Sequence, residues 1–125
     1  MKAIWGSVLV GALILGAGIL ALSCKKSNPA GPGGGTADVT ITIVGNLGAN
    51  SFSPNPDTVR VGQTVAWHNS GGTTHTSTAN GIGLWNTSNI ANGSTSASIR
   101  MNTAGSFGYH CEIHPSMVGT LVVQP

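Results

Sequence analysis

The chain has 125 residues, enough for one ordinary domain once a targeting segment is set aside and too few for two independent cores. Only 6% of them are charged and 19 are glycine, and the abundance of Thr, Ser, Asn and Val favours short strands and turns over amphipathic helices. Five Lys and Arg stand against three Asp and Glu, so there is neither a basic cluster for nucleic acid nor a set of carboxylates for paired acid–base catalysis.

In chain order, residues 1–23 read as an export signal, with Lys2 as a minimal positive start and an almost wholly apolar run from Ala3 to Ser23. The run closes on Leu20-Ala21-Leu22-Ser23-Cys24. This resembles the lipobox of bacterial lipoproteins, which implies lipidation of Cys24; Ala21 departs from the commoner Leu. An uncleaved transmembrane anchor is the alternative, since roughly 20 apolar residues can span a bilayer. Either reading predicts an extracytoplasmic domain on a membrane tether, at the periplasmic or cell-surface side. Residues 24–37 are the lipidated Cys24 and a flexible linker without apolar periodicity, KKSNPAGPGGGTA. Four basic residues against three acidic remain beyond Cys24, which gives no reason to expect a nucleic-acid partner.

Residues 38–125 are the expected folded domain. Val39, Ile41 and Ile43 alternate with Thr40 and Thr42 as in a half-buried strand. Further strands are predicted over Thr58 to Val61, Gln63 to Asn69, Thr95 to Met101, Gly105 to Cys111 and Gly119 to Val123, separated by Gly, Asn, Pro and Ser. Short strands so punctuated predict an all-β, two-sheet sandwich with no helix and no internal repeat.

The chemistry is concentrated in Tyr109-His110-Cys111-Glu112-Ile113-His114-Pro115-Ser116-Met117, where a thiol, an imidazole and a thioether recur at every third residue. A tight loop at that spacing can turn all three toward one point. Thiolate, imidazole and a weak axial Met are ligand types of a blue-copper site, which also wants a second His. Of the other histidines, His75 lies in a Thr-rich turn after a predicted strand, whereas His68 and His110 fall on strand positions expected to face away from the site. Trp67 and Trp85 read as packing residues. A closed zinc site would want more Cys or His in place of Met117, and haem attachment needs a Cys-x-x-Cys-His run that is missing. Cys111 is otherwise a lone thiol in an exported chain, where a metal would protect it from oxidation.

From Val39 to Val123 the chain resembles the cupredoxins, particularly plastocyanin-like and amicyanin-like members. The resemblance rests on Phe52-Ser53-Pro54, Val59, Val61-Gly62, Val65, Trp67-His68-Asn69, His75 six residues after Asn69, and the short loop Cys111-x-x-His114-Pro115-x-Met117-x-Gly119. It implies a Greek-key sandwich and one type 1 copper held by His75, Cys111, His114 and Met117, with Met117 as the long axial ligand. His114 and Pro115 would be the electron's exit, facing redox protein partners. Asn69 and Thr76 would stand just behind the ligands; many members carry Asn where this chain has Thr76. The expected function is single-electron transfer in the cell envelope by a monomeric, non-enzymatic carrier. Copper sequestration or delivery is the alternative; only three Met and no Met-rich or His-rich tract are present.

Overall fold

The computed structural model describes residues 36–125, and the export signal, Cys24 and most of the linker lie outside the described residues. Eight strands follow in order: β1 Val39–Ile43, β2 Phe52–Ser53, β3 Asp57–Arg60, β4 Thr64–Asn69, β5 Thr78–Ala79, β6 Ile99–Arg100, β7 Gly105–His110 and β8 Val118–Gln124. They form two four-stranded sheets, ordered β2-β1-β4-β6 and β3-β8-β7-β5. Each sheet is mixed, with β1 parallel to β4 and β3 parallel to β8, so the chain crosses between sheets instead of running as simple hairpins. The all-β sandwich expected from the sequence is what forms.

Alternation in β1 and β8 sets the layer between the sheets. Ile41 and Ile43 from one sheet and Gly119, Leu121 and Val123 from the other are buried, while the residues between them are not. Trp67 and Tyr109 fill the middle, both fully buried, with ring centroids 5.8 Å apart and an edge-on angle of 73°. Phe52 meets Tyr109 edge-on at 4.7 Å. Burying rings of this size contributes about 1.5–3 kcal/mol each, with roughly 0.5–1.5 kcal/mol more for each oriented aromatic pair. Gly119 lies opposite Tyr109 in the β7–β8 register, and a Cβ there would come within 2.6 Å of the phenol oxygen, so glycine is what admits the ring. Burial pushes the Tyr109 phenol well above its ordinary range and keeps it neutral.

At the end of the sandwich remote from Cys111, Asp38 clamps the start of β1 to β4. Its carboxylate accepts the Thr64 N–H at 2.7 Å and the Thr64 hydroxyl at 2.8 Å, and these bonds hold its pKa below the ordinary carboxylate value. The β1–β4 register follows, pairing Val39 with Val65 and Ile43 with Asn69. Consequently Asn69 and the turn after it, residues 70–77, emerge at the same end as the loop after β7.

The strands differ from the sequence expectation in extent. The run Thr95 to Met101 pairs only as β6 at Ile99–Arg100 and through a single bridge from Thr95 to His68, since its Ser and Ala residues offer no apolar alternation. The two-residue strands β2 and β5 and a three-residue 3-10 turn at Gly48–Asn50 add to the expected elements.

Candidate metal centre

Cys111 follows β7 directly, and the segment after it turns back at once. The Met117 N–H donates to the His114 carbonyl at 2.9 Å, and the Cys111 N–H donates to the Met117 carbonyl at 3.1 Å. This closed loop returns the chain to β8 and leaves Cys111 and Met117 fully buried, His114 half-buried and Pro115 exposed. The short spacing is thereby converted into one surface-facing arch over the end of the core.

His75 arrives from the other direction. A two-way bridge to Ile90 fixes its backbone, at 3.1 Å from His75 N to Ile90 O and 2.8 Å in return. Fully buried Asn69 braces the turn that delivers it: its side-chain amide donates to the Thr73 and Ile90 carbonyls, both at 2.7 Å, and its oxygen accepts the Gly71 N–H at 2.9 Å. Gly71 lies flat against the imidazole, where an added Cβ would stand 2.7 Å from Nε2. Thr73 Oγ1 lies 3.3 Å from that same Nε2, which leaves Nδ1 for the site, as an outer hydrogen bond does for a metal-bound histidine.

His75, Cys111 and His114 bring one donor atom each within 4.8 Å of one another. The Cys111 sulfur is 3.8 Å from His75 Nδ1 and 3.9 Å from His114 Nδ1, and the two nitrogens are 3.2 Å apart. With bonds of roughly 2.0 Å to nitrogen and 2.3 Å to sulfur, tetrahedral donors would leave sulfur about 3.5 Å from nitrogen, and donors coplanar with the ion about 3.7 Å. The triangle therefore matches a trigonal His2Cys set, the arrangement that suits copper with a weak fourth ligand. Met117, the soft side chain at the end of the same loop, is fully buried, and its main chain bonds to both His114 and Cys111.

The electrostatics favour a neutral imidazole at His75. Burial first, and then the charge of His114, lower its pKa from 6.5, with the Gly71 backbone opposing. The sulfur has a fixed donor in the Thr76 N–H at 3.3 Å. Thr76 also accepts the Glu112 N–H on its hydroxyl at 2.8 Å, tying the two ligand-bearing segments together across 36 residues. Thr76 suffices for this because the bond needs only a short side chain with an acceptor.

His68 and His110 lie outside the cluster, as strand alternation predicts. His68 Nδ1 meets Thr95 Oγ1 at 2.9 Å and His110 Nδ1 meets Asn80 Oδ1 at 2.7 Å. On the loop that carries His114 and the segments next to it, Val44, Leu47, Ile113 and Val118 are each between 41% and 57% exposed. Ser116 donates to Asn46 at 3.1 Å and so fastens the arch to the segment carrying Val44 and Leu47. Gly71 was not singled out by the sequence reading; the only signal available was a Gly-Gly pair shortly before the ligand histidine.

The chain matches the Cupredoxin-like domain family over residues 12–123. It is similar to a plastocyanin from Scenedesmus fuscus, 35% identical over 98 residues that make up 70% of this chain and all of that protein. Chloroplastic plastocyanin from Chlamydomonas reinhardtii is 29% identical over 99 residues, covering 70% of this chain and 68% of that one. Among solved structures, a purple cupredoxin from Nitrosopumilus maritimus superposes with a TM-score of 0.62 at 24% identity, over 70% of this chain and 100% of its own. A Cu(I) form of an amicyanin variant gives 0.57 at 24%, over 69% and 81%.

Proposed function

The chain belongs to the cupredoxin-like family with one copper as its cofactor, and from that premise we propose that it carries single electrons between redox partners in the cell envelope. The observation that carries this reading is the Cys111–His75–His114 triangle, with sulfur-to-nitrogen separations of 3.8 and 3.9 Å. Copper, when bound, supplies a one-electron Cu(II)/Cu(I) couple.

The side chains divide the work. Cys111 would offer the thiolate and His75 and His114 the nitrogens, while Met117 would add a weak thioether donor that helps to set the potential by favouring the reduced ion. Burial of Cys111, His75 and Met117 excludes water, and the Asn69 and Thr76 bonds hold the donors in one arrangement through the redox cycle. His114, at the protein surface, is the electron's exit, and Pro115 with Ile113, Val44 and Leu47 forms an apolar docking face suited to brief encounters. The protein acts as a monomeric carrier and not as an enzyme. Lipidation at Cys24 and the 24–37 linker hold it at the extracytoplasmic face of a membrane; Cys24→Ala should release it into the soluble fraction, and continued lipid labelling would refute the anchor.

The decisive experiment is the visible and electron paramagnetic resonance spectrum of the Cu(II)-loaded chain. An intense thiolate colour with narrow copper hyperfine splitting is expected. A colourless protein with an ordinary copper signal would return the assignment to copper sequestration or delivery.

A further inference from the structure

Trp85 makes a contact that packing alone does not require. Its indole N–H donates to Ser77 Oγ at 3.1 Å. Ser77 is fully buried and directly follows Thr76, whose N–H donates to the Cys111 sulfur at 3.3 Å. Between sulfur and indole there are thus two hydrogen bonds joined by a short covalent run, with no through-space gap. Ser77 is itself fixed, since its N–H donates to Thr87 Oγ1 at 2.8 Å and its carbonyl accepts the Thr87 N–H at 3.0 Å. The indole stacks on Trp67 at 5.8 Å and 26° and meets Tyr109 at 5.9 Å. Its other side opens on a groove formed by residues 78–86, next to Leu84 at 43% and Ile82 at full exposure.

Electronic coupling decays more gently along covalent and hydrogen bonds than across a van der Waals gap. We propose that Trp85 is a second point of electron entry and exit, coupled to the Cys111 sulfur through Thr76 and Ser77 by a route that does not pass through His114. The proposal rests on the electron-transfer reading above. In each passage the site goes from Cu(I) to Cu(II) and a one-electron oxidant is reduced, or the reverse; no proton moves, and Trp85 bridges the two without being oxidised itself.

Two measurements test it. In the copper-free protein, the Trp85 indole proton should exchange slowly with solvent by nuclear magnetic resonance, and Ser77→Ala should speed it about fivefold, the factor a typical net hydrogen bond contributes. Exchange at the free-indole rate in the unaltered chain would overturn the path. In the copper-loaded full chain carrying Cys24→Ala, a photogenerated ruthenium(III) polypyridyl oxidant attached at Ile82→Cys should be reduced several-fold more slowly once Ser77→Ala or Trp85→Phe is added. The same oxidant at Ile113→Cys, beside His114, should be reduced at an unchanged rate. Equal rates in all variants at the Ile82 position would overturn the proposal, as would a slowing seen equally from both positions, which would put the effect on the metal centre. A chain that binds copper without thiolate colour would remove the electron-transfer reading itself, and the proposal with it.

Discussion

Replacing Gly71 by Ala adds a single methyl group where the fold leaves no room for one. The new Cβ would stand 2.7 Å from His75 Nε2, 3.0 Å from its Cδ2 and 3.0 Å from the Gly45 Cα. Carbon contacts settle near 3.5–4.0 Å, so something must yield by roughly 0.7 Å. The His75 backbone is bridged to Ile90 in both directions and its ring is buried, while the Gly71 N–H is held by Asn69. Overpacking of this kind costs about 1–3 kcal/mol, and a ring turned away from the donor triangle should weaken copper binding by about 10- to 100-fold, as loss of a metal ligand's supporting contacts does. Urea unfolding of the copper-free protein measures the first effect and chelator competition the second. Gly72→Ala separates them: with φ at 83° and nothing within 4 Å of its Cβ, it should lose about 1–2 kcal/mol through backbone conformation and leave copper affinity unchanged. Wild-type stability and wild-type affinity in Gly71→Ala would refute the claim that this glycine positions His75.

Thr76→Val should destabilise the copper-free protein by about 1–3 kcal/mol, because the Glu112 N–H loses its acceptor; Thr76→Ser should restore most of it, with Glu112 amide exchange as the local readout. Met117→Leu conserves volume in a buried position, so it should fold, retain copper and shift the potential upward in voltammetry; an unchanged potential would remove Met117 from the axial role. The copper-free protein should lose stability as the pH falls below about 6.5. His75 has a folded pKa lowered from that value, so the unfolded chain takes up the proton first; the stability is fully present above 6.5 and is lost as the pH drops toward the folded value. Thermal unfolding between pH 8 and 5 checks this, and bound copper should delay the loss, since it competes with the proton for the imidazole.

The strands that can be read from sequence are those whose apolar and β-branched residues alternate or run together over several positions. β1 declares itself by alternation and β8 by its run of apolar and β-branched residues Thr120 to Val123, whereas β2 and β5 are two residues long and too short to show any period. The stretch from Thr95 misleads because β-favouring composition is not continuous pairing: only Ile99–Arg100 forms a strand against β4, and Thr95 adds a single bridge to His68. Within the site, Cys111, His114 and Met117 are legible because one loop carries them at fixed spacing. His75 is legible less directly, as the histidine in a Thr-rich turn after a predicted strand when His68 and His110 are placed on strand positions facing away; its approach depends on a β1–β4 register that pairs residues 26 positions apart. The contacts of Gly71 with His75 and of Gly119 with Tyr109 escape sequence reading altogether: a glycine shows no sign of what presses against it.

The hydrogen bond to the Cys111 sulfur comes from the main chain of residue 76, and the bond that joins the two ligand loops comes from that residue's side chain. One position thus performs two jobs that mutation treats differently. Every amino acid except proline brings the same N–H to the sulfur, so the thiolate's surroundings are insulated from most changes at residue 76. The fastening to Glu112 depends on a hydroxyl or its equivalent and can drift. Lineages could therefore loosen or tighten the mechanical joint between the loops while the sulfur keeps its main-chain donor.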